Sequence, residues 1–205
     1  MDNYDLQVDI AKRIFLQYDQ QQMIRKFSLN ADVQWIYLTY FNTPCRIHRK
    51  NGGVEEYCGN RWQECREFGT VMTIYDLLCY PKGEILSPLA NTWCAVGTFV
   101  VTGVTKTETF TKKFAKLFDH RLDELKTACE KLGGSLQKSM AGADVTCRFW
   151  VTPFFPVLLQ FWESDEEFPP KLMILWDSNT LQFMHYETTF YLQGDLLERL
   201  QNYIK

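Results

Sequence analysis

Phe161-Trp162-Glu163-Ser164-Asp165-Glu166-Glu167-Phe168-Pro169-Pro170-Lys171-Leu172-Met173-Ile174-Leu175-Trp176-Asp177 is the stretch whose reading decides the fold. An apolar run ending at Trp162 breaks into three consecutive acids, stops at Phe-Pro-Pro and resumes as a second apolar run. Two buried strands, near 157–163 and 171–176, are expected, with a third near 144–150. Their spacings are too short for the crossover of about a dozen or more residues that parallel strands need, so the pairing should be antiparallel.

Upstream of these strands the period is helical. Leu122, Leu125, Cys129 and Leu132 mark a helix that Gly133-Gly134 should cap, and Phe110, Phe114, Leu117 and Phe118 mark the one before it. Val71, Ile74, Tyr75 and Leu78 predict a helix over 70–80, stopped by Pro81, with irregular chain from there to Thr92. Residues 58–69, with Gly59, Asn60, Gly69 and mixed charge, read as a loop. Val33 to Tyr40 alternates as a strand, Cys45 to Arg49 is a second, and Asn51-Gly52-Gly53 turns the chain into a third at Val54 to Tyr57. At the start, Leu6, Ile10, Ile14 and Tyr18 predict an amphipathic helix over 3–18. Asp19 and Gln22 suggest a capping box for a second, with Met23, Ile24 and Phe27 on one face. Downstream, Leu192, Leu196, Leu200 and Tyr203 form a terminal helix. The expectation is one α+β domain over 1–205: antiparallel sheet or sheets, an N-terminal helical segment, a central helical segment and a C-terminal helix.

Composition limits the function classes. Apolar residues make up 46% and aromatics 15%, enough for a real core. A balance of 22 basic against 25 acidic residues leaves no clustered positive surface, so nucleic acid is not an expected partner. The acidic start Met1-Asp2-Asn3-Tyr4-Asp5 is not a secretory signal. The apolar windows Trp93–Val104 and Val151–Trp162 fall short of the ~20 residues of a membrane span. A cytoplasmic protein with no membrane partner is expected. The seven cysteines (Cys45, Cys58, Cys65, Cys79, Cys94, Cys129, Cys147) include no close pair of the kind zinc and iron–sulfur sites use, so they read as reduced structural thiols and no metal site is assigned.

Chemistry concentrates near the opening stretch. Glu163, Asp165, Glu166 and Glu167 cluster beside Trp162; Asp177 closes the next strand; His185 and Glu187 follow. Clustered carboxylates repel unless a cation or hydrogen-bond donors hold them, so Trp162, Glu163, Asp165, Glu166, Glu167, Asp177, His185 and Glu187 form a candidate ligand site for a divalent cation or a cationic ligand. The plain alternative is a solvated turn between strands. Strand register decides whether Glu163 and Asp177 meet. His48 reads as surface, His120 as a helix-junction residue, and Trp62 as the tryptophan on a loop that marks a contact surface. No phosphate loop, nucleophile elbow or zinc-protease motif is present.

Trp162-x-x-Asp165-Glu166-Glu167-Phe168-Pro169-Pro170, the apolar strand to Asp177 and the acidic position Glu187 before a terminal helix resemble a bacterial and archaeal family, the domain of unknown function DUF3786. The helix end Leu132-Gly133-Gly134 and the segment Ile74-Tyr75-Asp76-Leu77-Leu78 extend the resemblance over most of the chain. The resemblance implies no activity. Some members resemble fusions to a four-cysteine iron–sulfur domain of corrinoid-dependent metabolism, which implies a redox or one-carbon setting. This chain lacks that cysteine cluster, carries Phe155-Pro156 where members tend to have a basic residue near the proline, and has His185-Tyr186-Glu187 where they tend to have a proline–threonine–acid–acid run. Three functions are expected in order: a non-catalytic binding or accessory module of bacterial cytoplasmic metabolism, with a protein or small-molecule partner; a carboxylate enzyme, with or without a divalent cation, at the acidic loop; and a protein-interaction domain. The sequence specifies no cofactor.

Overall fold

In a computed structural model of the chain, residues 3–99 and 107–204 are described. Met1 and Asp2 of the acidic start, and the part of the apolar window Trp93–Val104 beyond residue 99, lie outside them. Helices α1 (Asn3–Gln17) and α2 (Gln20–Phe27) lead into five antiparallel strands in simple spatial order: β1 (Asn30–Ala31), β2 (Trp35–Tyr40), β3 (Thr43–His48), β4 (Val54–Cys58) and β5 (Arg61–Glu64). Helix α3 (Phe68–Cys79) follows, then the short strand β6 (Trp93–Ala95) and a 3-10 turn at Val96–Phe99. Helices α4 (Thr107–Phe118) and α5 (Leu122–Lys131) precede β7 (Ser135–Leu136), β8 (Val145–Thr152), β9 (Phe155–Trp162) and β10 (Lys171–Asp177). A 3-10 turn at Thr180–Gln182 leads into α6 (Tyr186–Ile204). The second sheet has the antiparallel order β6-β10-β9-β8-β7. The α+β class and the antiparallel pairing of the last three long strands agree with the sequence.

Period explains the two sheets. In β2, Ile36, Leu38 and Tyr40 are buried while Trp35, Tyr37 and Thr39 are only partly covered, so one face meets the core. β9 is buried at every position but the last, which is why its sequence reads as an unbroken apolar run. The sheets are joined at the β2–β3 turn. Phe41 and Asn42 both have positive φ (42° and 60°), as a two-residue hairpin turn requires. That conformation is unfavourable for a bulky residue. Here the buried Phe41 ring packs edge-on to Phe149, and its N–H donates to Val151 O at 2.9 Å, so the turn is held by the neighbouring sheet. Side chains from both sheets and the helices form one hydrophobic cluster.

The caps follow sequence signals. The Asp19 carboxylate accepts from Gln22 N–H at 2.9 Å at the start of α2. At the end of α5, Gly133 (φ 80°) donates to Glu130 O and Gly134 to Cys129 O, the two bonds of a Schellman cap. Gly134 is required by space: a Cβ there would lie 2.5 Å from Cys147 Sγ and 2.8 Å from Cys129 O.

Four expectations are corrected. Residues 58–64 are not loop: Gly59 and Asn60 take positive φ (58° and 64°) and turn β4 into β5. The mixed charge that suggested a loop suits an edge strand facing water. Trp62 therefore sits on a strand, half-buried, and the Arg46 guanidinium lies between its ring and that of Trp35, 4.3 and 3.9 Å from their centres. The terminal helix begins at Tyr186, ahead of its leucine stripe. Finally, Leu6, Ile10 and Ile14 face outward, 45%, 47% and 49% exposed, while Phe15 is fully buried and Val8, Ala11 and Tyr18 pack beside it. Helix α1 carries two apolar stripes, and spacing alone does not say which one meets α3.

Candidate functional site

The loop between β9 and β10 is built by three aspartates. Asp165 Oδ1 accepts from Glu167 N–H (2.8 Å) and Phe168 N–H (2.7 Å), closing the turn on itself. Asp144, just before β8, accepts from Glu163 N–H at 2.8 Å. Asp119, at the α4–α5 junction, accepts from both Ser164 N–H (2.9 Å) and Ser164 Oγ (2.8 Å). Burial acts to raise the Asp119 pKa, but the two Ser164 bonds and the adjacent His120 outweigh it and hold the carboxyl below its ordinary value. His120 takes the left-handed conformation (φ 55°) that ends α4, and its ring faces the loop. Its Nδ1 lies 3.7 Å from Glu163 Oε1, and its Nε2 lies 3.3 Å from Ser164 Oγ and 3.8 Å from Asp119 Oδ2. Among the described residues, Asp119, His120 and Glu163 are the one trio of metal-ligating side chains whose ligand atoms come within 4.8 Å of one another.

Beside this loop lies an open cleft of ≈1040 Å³. It is lined by Trp162, Glu163, Asp165 and Phe168, by Thr111, Lys112 and Ala115 of α4, and by Ala95–Gly97 at the end of β6 and the turn after it. Lys171 pairs with Trp162 across the β9–β10 ladder, and its ammonium sits 5.1 Å from the indole centre. Trp162 is also anchored, donating its indole N–H to Ala141 O at 3.2 Å. Two buried carboxamides reach the cleft, Gln160 of β9 and Gln193 of α6, 4% and 3% exposed. Gln160 donates to Met140 O at 3.1 Å.

The structure divides the eight sequence candidates into two groups and a loner. Trp162, Glu163 and Asp165 line the cleft; Glu166 and Glu167 are exposed on its loop. Asp177 is buried at the far end of β10, about 20 Å from the loop at ~3.3 Å per residue. Its carboxylate accepts from Ala90, Asn91 and Asn179 N–H groups (3.0, 2.7 and 2.9 Å) and so fastens the irregular chain before β6. His185 and Glu187 belong to neither place. They border a separate apolar groove of ≈550 Å³ between α1, α3 and α6, which shares no lining residue with the cleft. There His185 Nδ1 pairs with Asp76 Oδ1 at 2.6 Å, and Asp76 Oδ2 accepts from His185 N–H (2.7 Å) and Thr188 Oγ1 (2.6 Å), capping α6. The pKa of the thiol in that groove, Cys79, is pushed up to about 12 by burial and by Asp76, which disfavours the thiolate.

Sequence reasoning missed Asp119, Asp144, Gln160, Lys171 and Gln193. Gln160 had a signal, being the one polar residue inside the run Val157–Trp162. Asp119 and Asp144 had none, since nothing local shows that they receive N–H groups from a loop 45 and 19 positions away.

The chain belongs to the family described as Domain of unknown function (DUF3786), whose model matches residues 8–199. Neither the curated proteins nor the solved structures gave a significant match. Among the described residues, no helix is long and apolar enough to cross a membrane.

Proposed function

We propose that this member of the DUF3786 family is a non-catalytic binding module that takes a positively charged ligand in the cleft beside the β9–β10 loop. One observation carries the reading: the cleft places Glu163 and Asp165 beside the anchored ring of Trp162, so carboxylate and aromatic face converge on one space. That pairing suits a cation with an apolar body. Five carboxylates, those of Asp144, Glu163, Asp165, Glu166 and Glu167, stand at or beside the cleft against the ammoniums of Lys112 and Lys171. A binding role is favoured over acid–base chemistry because Asp119, Asp144 and Asp165 already serve the loop backbone. The His185–Asp76 pair lies in the other groove. The setting we propose, bacterial cytoplasmic metabolism, rests on the family resemblance.

Calorimetric titration with spermidine and with arginine amide, against citrate as the anionic control, tests this. Heat is expected from the two cations in the wild type and its loss in Glu163→Lys, with the melting temperature of that variant unchanged. Equal heats in wild type and variant would sink the assignment to this cleft.

A second reading rests on Asp119, His120 and Glu163, which offer one nitrogen and two oxygens to a divalent cation. In that case millimolar Mn²⁺ raises the melting temperature by mass action, and His120→Ala with Glu163→Gln abolishes the rise. No rise in the wild type rejects it.

A further inference from the structure

Among the described residues, the cleft runs along a strand edge that no other strand pairs with. Strand β10 pairs with β9 from Lys171 to Trp176, but β6 pairs with it only at Leu175, Trp176 and Asp177. Ser178 N–H donates to Thr92 O at 2.8 Å, continuing the register in which Trp176 faces Cys94. Residues of a strand turn their N–H and C=O groups alternately to the two sides. Trp176, Ile174 and Leu172 therefore turn theirs toward the β6 side, and Lys171, Met173 and Leu175 turn theirs toward β9. Among the described residues no strand carries the pairing past Leu175, and Lys171–Ile174 line the cleft. The N–H and C=O groups of Leu172 and Ile174 thus face the cleft as a short template for another strand.

A second observation points the same way. Gln193 of α6 is 3% exposed and lines this cleft, so its carboxamide offers polar atoms to what enters there. A carboxamide has both donor and acceptor positions, which a backbone or side chain in the cleft can meet.

We propose that the ligand of this cleft is an extended, basic segment of a partner protein, added to the second sheet as a strand along Leu172–Ile174. The proposal rests on the binding reading above and names its partner class. Residues of such a segment opposite Leu172 and Ile174 share their face, toward Ala115 of α4 and Gln193, where small apolar side chains fit. The alternate residues share the face of Lys171, whose ammonium lies 5.1 Å from the Trp162 indole centre, so a Lys or Arg there reaches past Lys171 toward Glu163 and Asp165. The recognised pattern is alternation of basic and β-branched residues, with backbone hydrogen bonds supplying affinity and side chains supplying selectivity.

The test selects short random peptides from a displayed library on the full chain, then measures the enriched peptides by calorimetry and amide hydrogen exchange. Enrichment of alternating basic and β-branched sequences is expected. Methylating the backbone nitrogens of alternate residues should weaken one of the two resulting peptides by about tenfold or more, since each strand bond lost is worth about a factor of ten. Exchange at Leu172 and Ile174 should slow on binding, and Gln193→Leu should weaken it. Equal affinity of both methylated peptides, unchanged exchange at Leu172 and Ile174, or no enriched sequence would overturn strand addition. If spermidine and arginine amide still bind through Glu163, the cleft reading survives that failure; if they do not, both fall.

Discussion

At the scale of single residues, a few positions do what their neighbours cannot. Gly134 sits where a Cβ would overlap Cys147 Sγ and Phe149 Cε1, at 2.5 and 2.7 Å, so Gly134→Ala should destabilise by about 1–3 kcal/mol through overpacking. Denaturant unfolding reads this directly, and an unchanged midpoint would show that α5 can slide off β8. Asp119 gives a pH dependence. Its pKa is lowered in the folded chain, so the folded state binds its proton less readily than the unfolded state does. The stabilisation is therefore present above the ordinary aspartate pKa of about 3.9 and fades as pH falls through the lower folded value. Wild type should lose more stability than Asp119→Asn between about pH 5 and 2. Identical acid limbs would remove the Ser164 clamp from the account. These two residues also differ in legibility. Gly133-Gly134 announced a helix cap by type and place, whereas Asp119 reads as an ordinary residue at a helix end until the fold brings Ser164 to it.

At the scale of elements, helix α1 is the sharpest contrast between pattern and packing. The Leu6-Ile10-Ile14 spacing identifies a helix correctly and its buried face incorrectly, because Val8, Ala11, Phe15 and Tyr18 form a rival stripe. Only the surface of α3 decides between them. Ile14→Gln should cost no more than about 0.5 kcal/mol as a surface change, and Phe15→Ala about 3–5 kcal/mol as a core truncation. Thermal unfolding of both variants tests the assignment, and the reverse ranking would return Ile14 to the interior. The strands behave differently. Alternation in β2 and the unbroken run in β9 were readable because a strand's period is set by its own backbone. The hairpin at Gly59-Asn60 was equally readable in turn chemistry but was masked by the charge of Arg61–Glu64.

At the scale of the whole molecule, the candidate site was half legible. Trp162, Glu163 and Asp165 reach one cleft, as their clustering suggested. Asp177 and His185 were close in sequence but are carried away, one by the length of β10 and the other by the turn into α6. What the sequence could not supply was the third dimension of the cleft: α4 opposite the strand edge, and Gln193 arriving from the C-terminal helix. A buried network shows the same long reach. Arg199 of α6 pairs with Asp195 at 2.7 Å and donates to Thr70 of α3 at 2.9 Å, with Glu56 of β4 at 3.8 Å, tying both helices to the first sheet. Such a frame fixes α6, which brings Gln193 to the cleft, against α3 and the first sheet.

The most direct measurement of that claim is a native mass spectrum of the protein purified without oxygen, set against its denatured mass, for wild type and Glu163→Lys side by side. The account predicts extra mass on the wild type that vanishes on denaturation and is missing from the variant. The same bound mass on both proteins, or none on either, would contradict a cation-binding cleft at the β9–β10 loop.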